Sequence, residues 1–297
     1  MKPKLPFQTR IVHFQLPGQP CRLPFAIGSA TQNHPLAVQD SHNSQDAVSV
    51  IVCPTRIVGV VADGCYGTHP TLEQHCYSSN EVGSRLLAHL VSTSANGLSA
   101  DQPGLSDEAF VAKLNDRVYR ALRLMIRSFS GKDPVLSKLF ACDFLMTTII
   151  GLLVTESRFL VFYSGNGVIA VNGDIVTLVD EEQNHRYIAK DLFPDHTNHK
   201  TADSPPENRL RVFSSGCTST LASVFLATDG LADLAAKQSD ALKEFASYQP
   251  PPDQITNGFD FLLQEFRQRI AWNPDLAPPL NDDATFLMLR RISKENV

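Results

Sequence analysis

The sequence has no excess of positive charge: 26 Lys and Arg face 31 Asp and Glu, for a formal net charge of -5. A basic face is what nucleic acid and anionic membranes attract, so neither is expected as a partner. Six cysteines (Cys21, Cys53, Cys65, Cys76, Cys142 and Cys217) are scattered with no C-x-x-C pair. That argues against a structural zinc site and a thioredoxin-like redox centre, and reduced thiols imply a cytoplasmic location. His196 and His199 stand three apart in "DHTNH", but the surrounding polar stretch reads as a solvated loop. A continuous apolar span is also missing. "FLMTTIIGLLVTESRFLVFY" is interrupted by Glu156, Ser157 and Arg158, leaving pieces short of the roughly 20 residues a membrane helix needs. The start, "MKPKLPFQTRIVHFQLPGQP", has polar residues and prolines where a secretory signal needs an apolar core. There are no internal repeats and no low-complexity linker, so a single domain over residues 1–297 is expected, acting as a monomer.

What is present is a large apolar content, 43% of residues, arranged with two different periods. "DAVSVIV" and "RIVGVVA" are short, β-branched and separated by Cys53-Pro54-Thr55, which reads as a strand pair. Helical spacing of Val82, Leu86, Leu87 and Leu90 follows, with Ser79 or Asn80 as N-cap, then a loop rich in Gly, Ser and Pro. A longer helix is expected from Ser106 to about Phe129, with Phe110, Leu114, Val118, Leu122 and Met125 on one stripe. "FLMTTIIGLLVT", "RFLVFYS", "GVIAVN" and "IVTLV" are four strand-like segments joined by short turns, which predicts an antiparallel meander with an Asn172-Gly173 hairpin. Residues 180–208 are polar and proline-bearing, a candidate flap with a short ordered piece around "RYIAKDLF". "RLRVFSS" and "SVFLAT" read as strands, "GLADLAAKQ" and "GFDFLLQEFRQRIA" as helices, and "ATFLMLRR" as a closing strand. This order is α+β, with antiparallel sheets covered by helices on the outside.

Acids stand at the ends of these strands. Asp46 enters the first, Asp63-Gly64 ends the second, Asp229-Gly230 separates a buried strand from a helix, and Asp282 and Asp283 precede the last. Each motif taken singly also reads as an ordinary turn or strand opening. Gathered at one place, the carboxylates would repel one another, and burying them costs several kcal/mol unless a cation compensates. No Lys or Arg lies within the four motifs, and an all-oxygen donor set selects hard divalent cations, Mg²⁺ or Mn²⁺.

The ordered set "NSQDA", "VVADG", "MTTIIGLLV", "YSGNGVIAV", "LATDGL" and "NDDATFLML", from about Gly28 to Arg291, resembles the metal-dependent protein phosphatases of type 2C, the PPM family, in its bacterial branch. The resemblance implies a four-layer αββα sandwich of two antiparallel sheets with helices on the outer faces. It implies serine/threonine phosphoprotein phosphatase activity at a site with two Mn²⁺ or Mg²⁺ ions. Asp63 would bridge the metals, Gly64 would lend its backbone carbonyl, Asp229 and Asp282 would ligate one metal, and Asp46 would act through bound water. Asp63 and Asp46 are thereby the catalytic candidates, acting through a hydroxide shared by the ions, with Asp283, Thr147 and Thr148 supporting. Two ions clamp phosphoryl oxygens for in-line displacement, and Gly64 allows close backbone approach.

The chain departs from that family at three places. Cys65 stands where eukaryotic relatives have the histidine proposed as general acid, with His42 and His69 as possible replacements. Asn166 stands where bacterial relatives have an acid that helps hold a third metal, so that metal lacks a ligand. The arginine expected before the first acidic motif is missing, with Arg22 or Arg56 as stand-ins. Three readings stay open: a phosphoserine/phosphothreonine phosphatase opposing a cognate kinase, a regulatory or binding module of the same fold with weak or no activity, and a two-metal nuclease or small-phosphoester hydrolase.

Overall fold

The computed structural model describes residues 13–15, 21–32, 45–64, 80–178, 187–192, 209–237, 239–247 and 283–292. The apolar runs become strands because both faces of each are buried, so alternate residues feed different cores. In β4 (Arg56–Gly64), Ile57 and Val61 face one core while Val58, Val60 and Ala62 face another. β4 pairs antiparallel with β3 (Ala47–Cys53) and with β5 (Thr147–Thr155), and β5 pairs with β6 (Arg158–Ser164). With β9 (Arg211–Cys217) beyond β6 and β1 (His13–Gln15) beyond β3, these make a six-stranded sheet. The second sheet has five strands in the order β2 (Phe25–Gln32), β11 (Ala284–Arg291), β10 (Ser223–Ala227), β7 (Gly167–Val171) and β8 (Asp174–Leu178).

Three layers of apolar side chains hold the sheets and helices together. Between the sheets lie Val50, Ile57, Val61, Ile150, Leu152 and Val154 of the first and Val224, Leu226, Leu287 and Leu289 of the second. The outer face of the first sheet packs on α1 (Asn80–Asp101), α2 (Asp107–Ser130) and α3 (Pro134–Phe144) through Leu87, Val91, Leu98, Leu114 and Leu122. The outer face of the second packs Phe225, Phe286 and Met288 against Leu242 and Phe245, beside α4 (Ala232–Lys237) and α5 (Ser239–Ser247). The expected αββα sandwich is what forms.

Four expectations are corrected. The sheets are not wholly antiparallel, because β1 runs parallel to β3; its connection passes through β2 in the other sheet, and such a crossover returns the chain in the same direction. The supposed meander breaks after β6, where the chain crosses between sheets at Ser164-Gly165-Asn166-Gly167. Gly165 (φ 101°) and Gly167 (φ 137°) supply the reversed backbone there, and a Cβ on Gly167 would lie 2.6 Å from the Ala227 carbonyl oxygen. The first helix runs on to Asp101 through the segment read as loop. A third helix, α3, lies where the sequence reading has none; Asp133 caps it by accepting from the Val135 and Leu136 N–H groups, with Pro134 in the first turn.

Other expectations hold. Ser106 caps α2 by accepting from the Ala109 N–H, and Asn172 (φ 55°) with Gly173 (φ 93°) makes the tight hairpin between β7 and β8. Within the candidate flap, Ile188–Leu192 forms a 3₁₀ turn whose Ile188 and Ala189 are buried in the helix-side core. Residues 180–186 and 193–208 and the helix expected at "GFDFLLQEFRQRIA" lie outside the described residues.

Candidate functional site

Strand pairing decides which acids meet. Ala47 pairs with Ala62, so Asp46 and Asp63 emerge at the same end of neighbouring strands. In the second sheet Ala227 pairs with Phe286, which places Asp229 and Asp283 just past the ends of β10 and β11. The two sheets present these ends to one another. Asp46 is 4% exposed, and burial pushes its carboxyl well above the usual carboxylate range. A bond from Thr228 opposes that rise, the negative charges of Asp283 and Asp229 add to it, and a hydrogen bond shared with Asp63 lowers it again. Asp46, Asp63, Asp229 and Asp283 therefore form one interacting cluster drawn from four strands of two sheets.

Neutral donors hold the carboxylates in place. Thr228 Oγ1 donates to Asp46 Oδ2 at 2.7 Å and accepts from the Thr285 N–H at 2.9 Å. Asn166 Nδ2 donates to Asp229 Oδ2 at 2.7 Å, and the Gln45 N–H donates to Asp283 Oδ2 at 3.0 Å. Gly230 brings the two acid-bearing turns of the second sheet into contact, since a Cβ there would stand 1.9 Å from the Asp283 carbonyl oxygen. Gly64 pairs with Thr147 and its N–H donates to the Gln45 carbonyl at 3.2 Å, while Asp63 pairs with Thr148. Thr147 Oγ1 is buried without a hydrogen-bond partner among the described residues.

The donor set suits a hard cation, being carboxylate oxygens with a bare glycine backbone beside them. Among the described residues no three His, Cys, Asp or Glu side chains already stand as a formed metal-holding group. Asp282 lies outside the described residues, as do Cys65, His42 and His69. Asp283 accepts from the Gln45 N–H and its charge reaches Asp46. Asn166 turns an amide donor toward Asp229, so it orients that acid and offers no anionic oxygen in its place.

Neither arginine suggested as a phosphate grip reaches the cluster. Arg56 begins β4, the far end from Asp63, with Nε donating to Asn96 Oδ1 at 2.6 Å; the Arg22 N–H donates to Pro54 O by the same far turn. Thr228 and Gln45 join the cluster although no sequence motif marks them. Their only signal was position, each being immediately before an acid of the cluster.

A family model described as Protein phosphatase 2C matches residues 36–269. No curated protein matches the chain. The fold is shared with the crystal structure of a bacterial serine phosphatase, at 14% identity and a TM-score of 0.51, covering 89% of this chain and 97% of that one. A point variant of a bacterial serine phosphatase superposes with a TM-score of 0.53 at 13% identity, again covering 89% and 97%. With the model spanning most of its length, the chain belongs to the protein phosphatase 2C family and is a protein serine/threonine phosphatase by that membership.

Proposed function

We propose that the acid cluster hydrolyses phosphoserine and phosphothreonine monoesters with two Mn²⁺ or Mg²⁺ ions held by Asp46, Asp63, the Gly64 carbonyl, Asp229 and Asp282. The observation that carries this is the burial of Asp46 among Asp63, Asp229 and Asp283. Carboxylates so placed repel one another, and a divalent cation is the counterion their chemistry selects. Bound there, the ions supply the positive charge that activates water near neutral pH and neutralises phosphoryl oxygens.

The chain's own part is orientation. Thr228 fixes one oxygen of Asp46, and Asn166 fixes one of Asp229, so each carboxylate keeps its angle while substrate enters. The close contact of Gly230 with Asp283 sets the spacing of the second sheet's two turns. With an amide at Asn166, the reading is of two ions and no third. The natural partner is a phosphoprotein made by a cognate kinase, and the excess of acid over base in the chain disfavours a polyanionic nucleic acid. No described helix is long and apolar enough to cross a membrane.

The test is turnover of p-nitrophenyl phosphate, a phosphothreonine peptide and a dinucleotide with Mn²⁺, by wild type, Asp63→Asn and Asp229→Asn. Wild type should cleave the first two at least a hundredfold faster than either variant. Equal rates in all three proteins would leave a binding module of this fold; preference for the dinucleotide would leave a nuclease.

A further inference from the structure

A cavity of about 470 Å³ lies between the start of α1, the end of α2 and one face of α3. Seven large apolar side chains stand exposed among the described residues, and four of them form its lips: Val82 (55% exposed), Leu86 (38%), Phe129 (71%) and Leu136 (51%). Below the lips three rings run inward as a stack, Phe129 on Phe140 at 4.8 Å and Phe140 on Phe144 at 4.9 Å between centroids. The one polar side chain in the lining is Ser130, whose Oγ is already bonded to the Ile126 carbonyl oxygen and to Ser137 Oγ, each at 2.6 Å.

Such a lining offers neither charge nor a free hydrogen-bonding side chain, so a nucleotide, a sugar or an extended peptide would lose its hydration there uncompensated. A hydrocarbon chain loses nothing and leaves water. The volume is that of a small-molecule site. Beside the cavity the charge is positive: Arg127 and Lys132 flank Phe129 and Ser130, Lys138 stands between Leu136 and Leu139, and all three are exposed. Of the acids nearby, Glu81 is paired with Arg85 at 3.1 Å and Asp133 accepts from the Val135 and Leu136 N–H groups; Asp143 is the remaining one. A second copy of the chain fits poorly as the occupant, because an isologous contact would set these cations against their own kind.

We propose that this cavity binds a free single-chain anionic amphiphile, a fatty carboxylate in chemical class, with its hydrocarbon chain between the three helices and its head group toward Arg127 and Lys132. Phe140 and Phe144 in the floor pack on the helix-side core. That is the opposite side of the first sheet from the face on which Asp63 alternates with Ile57 and Val61, so the site is separate from the acid cluster.

Titration calorimetry of the whole chain in EDTA, which keeps metal from drawing carboxylates to the acid cluster, tests this with sodium octanoate, decanoate and dodecanoate below their micelle concentrations. One equivalent should bind per chain, with affinity rising about fourfold for each added CH₂. Dodecyltrimethylammonium has the dodecyl chain with a cationic head and should bind about tenfold more weakly than dodecanoate. The double variant Arg127→Gln, Lys132→Gln should narrow that difference. Leu136→Asp places a charge on a half-exposed lip, so it should weaken dodecanoate binding about tenfold while keeping the Tm within about 2 °C of wild type. Phe129→Ser, at the most exposed lip, should weaken it as well and serves if the first variant fails to fold. Any of four results would overturn the proposal: no saturable binding of dodecanoate, no preference for it over the cationic amphiphile, wild-type affinity in both lip variants, or binding to phosphatidylglycerol vesicles with none to monomeric dodecanoate.

Discussion

Replacing Gly230 with alanine adds one carbon where the two acid-bearing turns of the second sheet touch. The new Cβ would stand 1.9 Å from the Asp283 carbonyl oxygen, 2.8 Å from its carbon and 3.2 Å from Ala284 Cα. The closest of these falls about 1.5 Å short of ordinary contact. All three atoms are backbone, so no side chain can swing away and one turn must move. Overpacking of this kind costs about 2–4 kcal/mol, or roughly 5–10 °C in Tm for a chain of this size.

The displaced turn carries Asp229 on one side and Asp283 on the other, and a misplacement of about 1 Å near reacting groups lowers turnover roughly a hundredfold. Calorimetry beside phosphatase assays measures both effects. Gly104→Ala is the control, because nothing lies within 4 Å of a Cβ at that position; it should leave both Tm and kcat unchanged. A Gly230→Ala protein that keeps the Tm of wild type within about 1 °C would refute the close approach. One that loses stability but keeps full kcat would refute the link from this turn to the site.

Thr228→Val keeps the side-chain shape but removes the donor to Asp46 and the acceptor for the Thr285 N–H. A stability loss of about 2–3 kcal/mol is expected by urea denaturation, with Mn²⁺ affinity down 10–100-fold and Thr228→Ser close to wild type. Arg158→Ala removes a 2.9 Å ion pair to Asp107, a bond to the Leu105 carbonyl and a contact over the Phe110 ring, so the midpoint should fall by about 1–2 kcal/mol. Hydrogen bonds from the Ser219 side chain and backbone lower the thiol pKa of exposed Cys217. Iodoacetamide should therefore alkylate Cys217 at lower pH than an ordinary thiol and far ahead of buried Cys53, and Ser219→Ala should move that profile to higher pH.

How much of this was legible in the sequence follows from how local each signal is. β4, β5 and β6 were legible because a strand buried on both faces is apolar throughout, and the acids stood out as the first polar residues at such ends. The crossing after β6 was not, since "SGNG" looks like a hairpin until Gly167 is seen against Ala227 of the other sheet. Helix α1 was cut short because Gly97 and the serines around it weaken its propensity, and packing of Ala95 and Leu98 overrides that. Strand β2, "FAIGSATQ", is too mixed to announce itself and is recruited by pairing along the whole of β11. Thr228 and Gln45 were invisible as site residues because their partners, Asp46 and Asp283, are 182 and 238 positions away.

The proposed function requires the acid cluster at the end of the sandwich to hold metal. Equilibrium Mn²⁺ binding to the EDTA-stripped chain, followed by calorimetry, addresses it without reference to any substrate. Wild type should bind two equivalents per chain and Asp63→Asn clearly fewer, with Mn²⁺ raising the Tm of wild type. Less than one equivalent in wild type, or unchanged binding in Asp63→Asn, would contradict it.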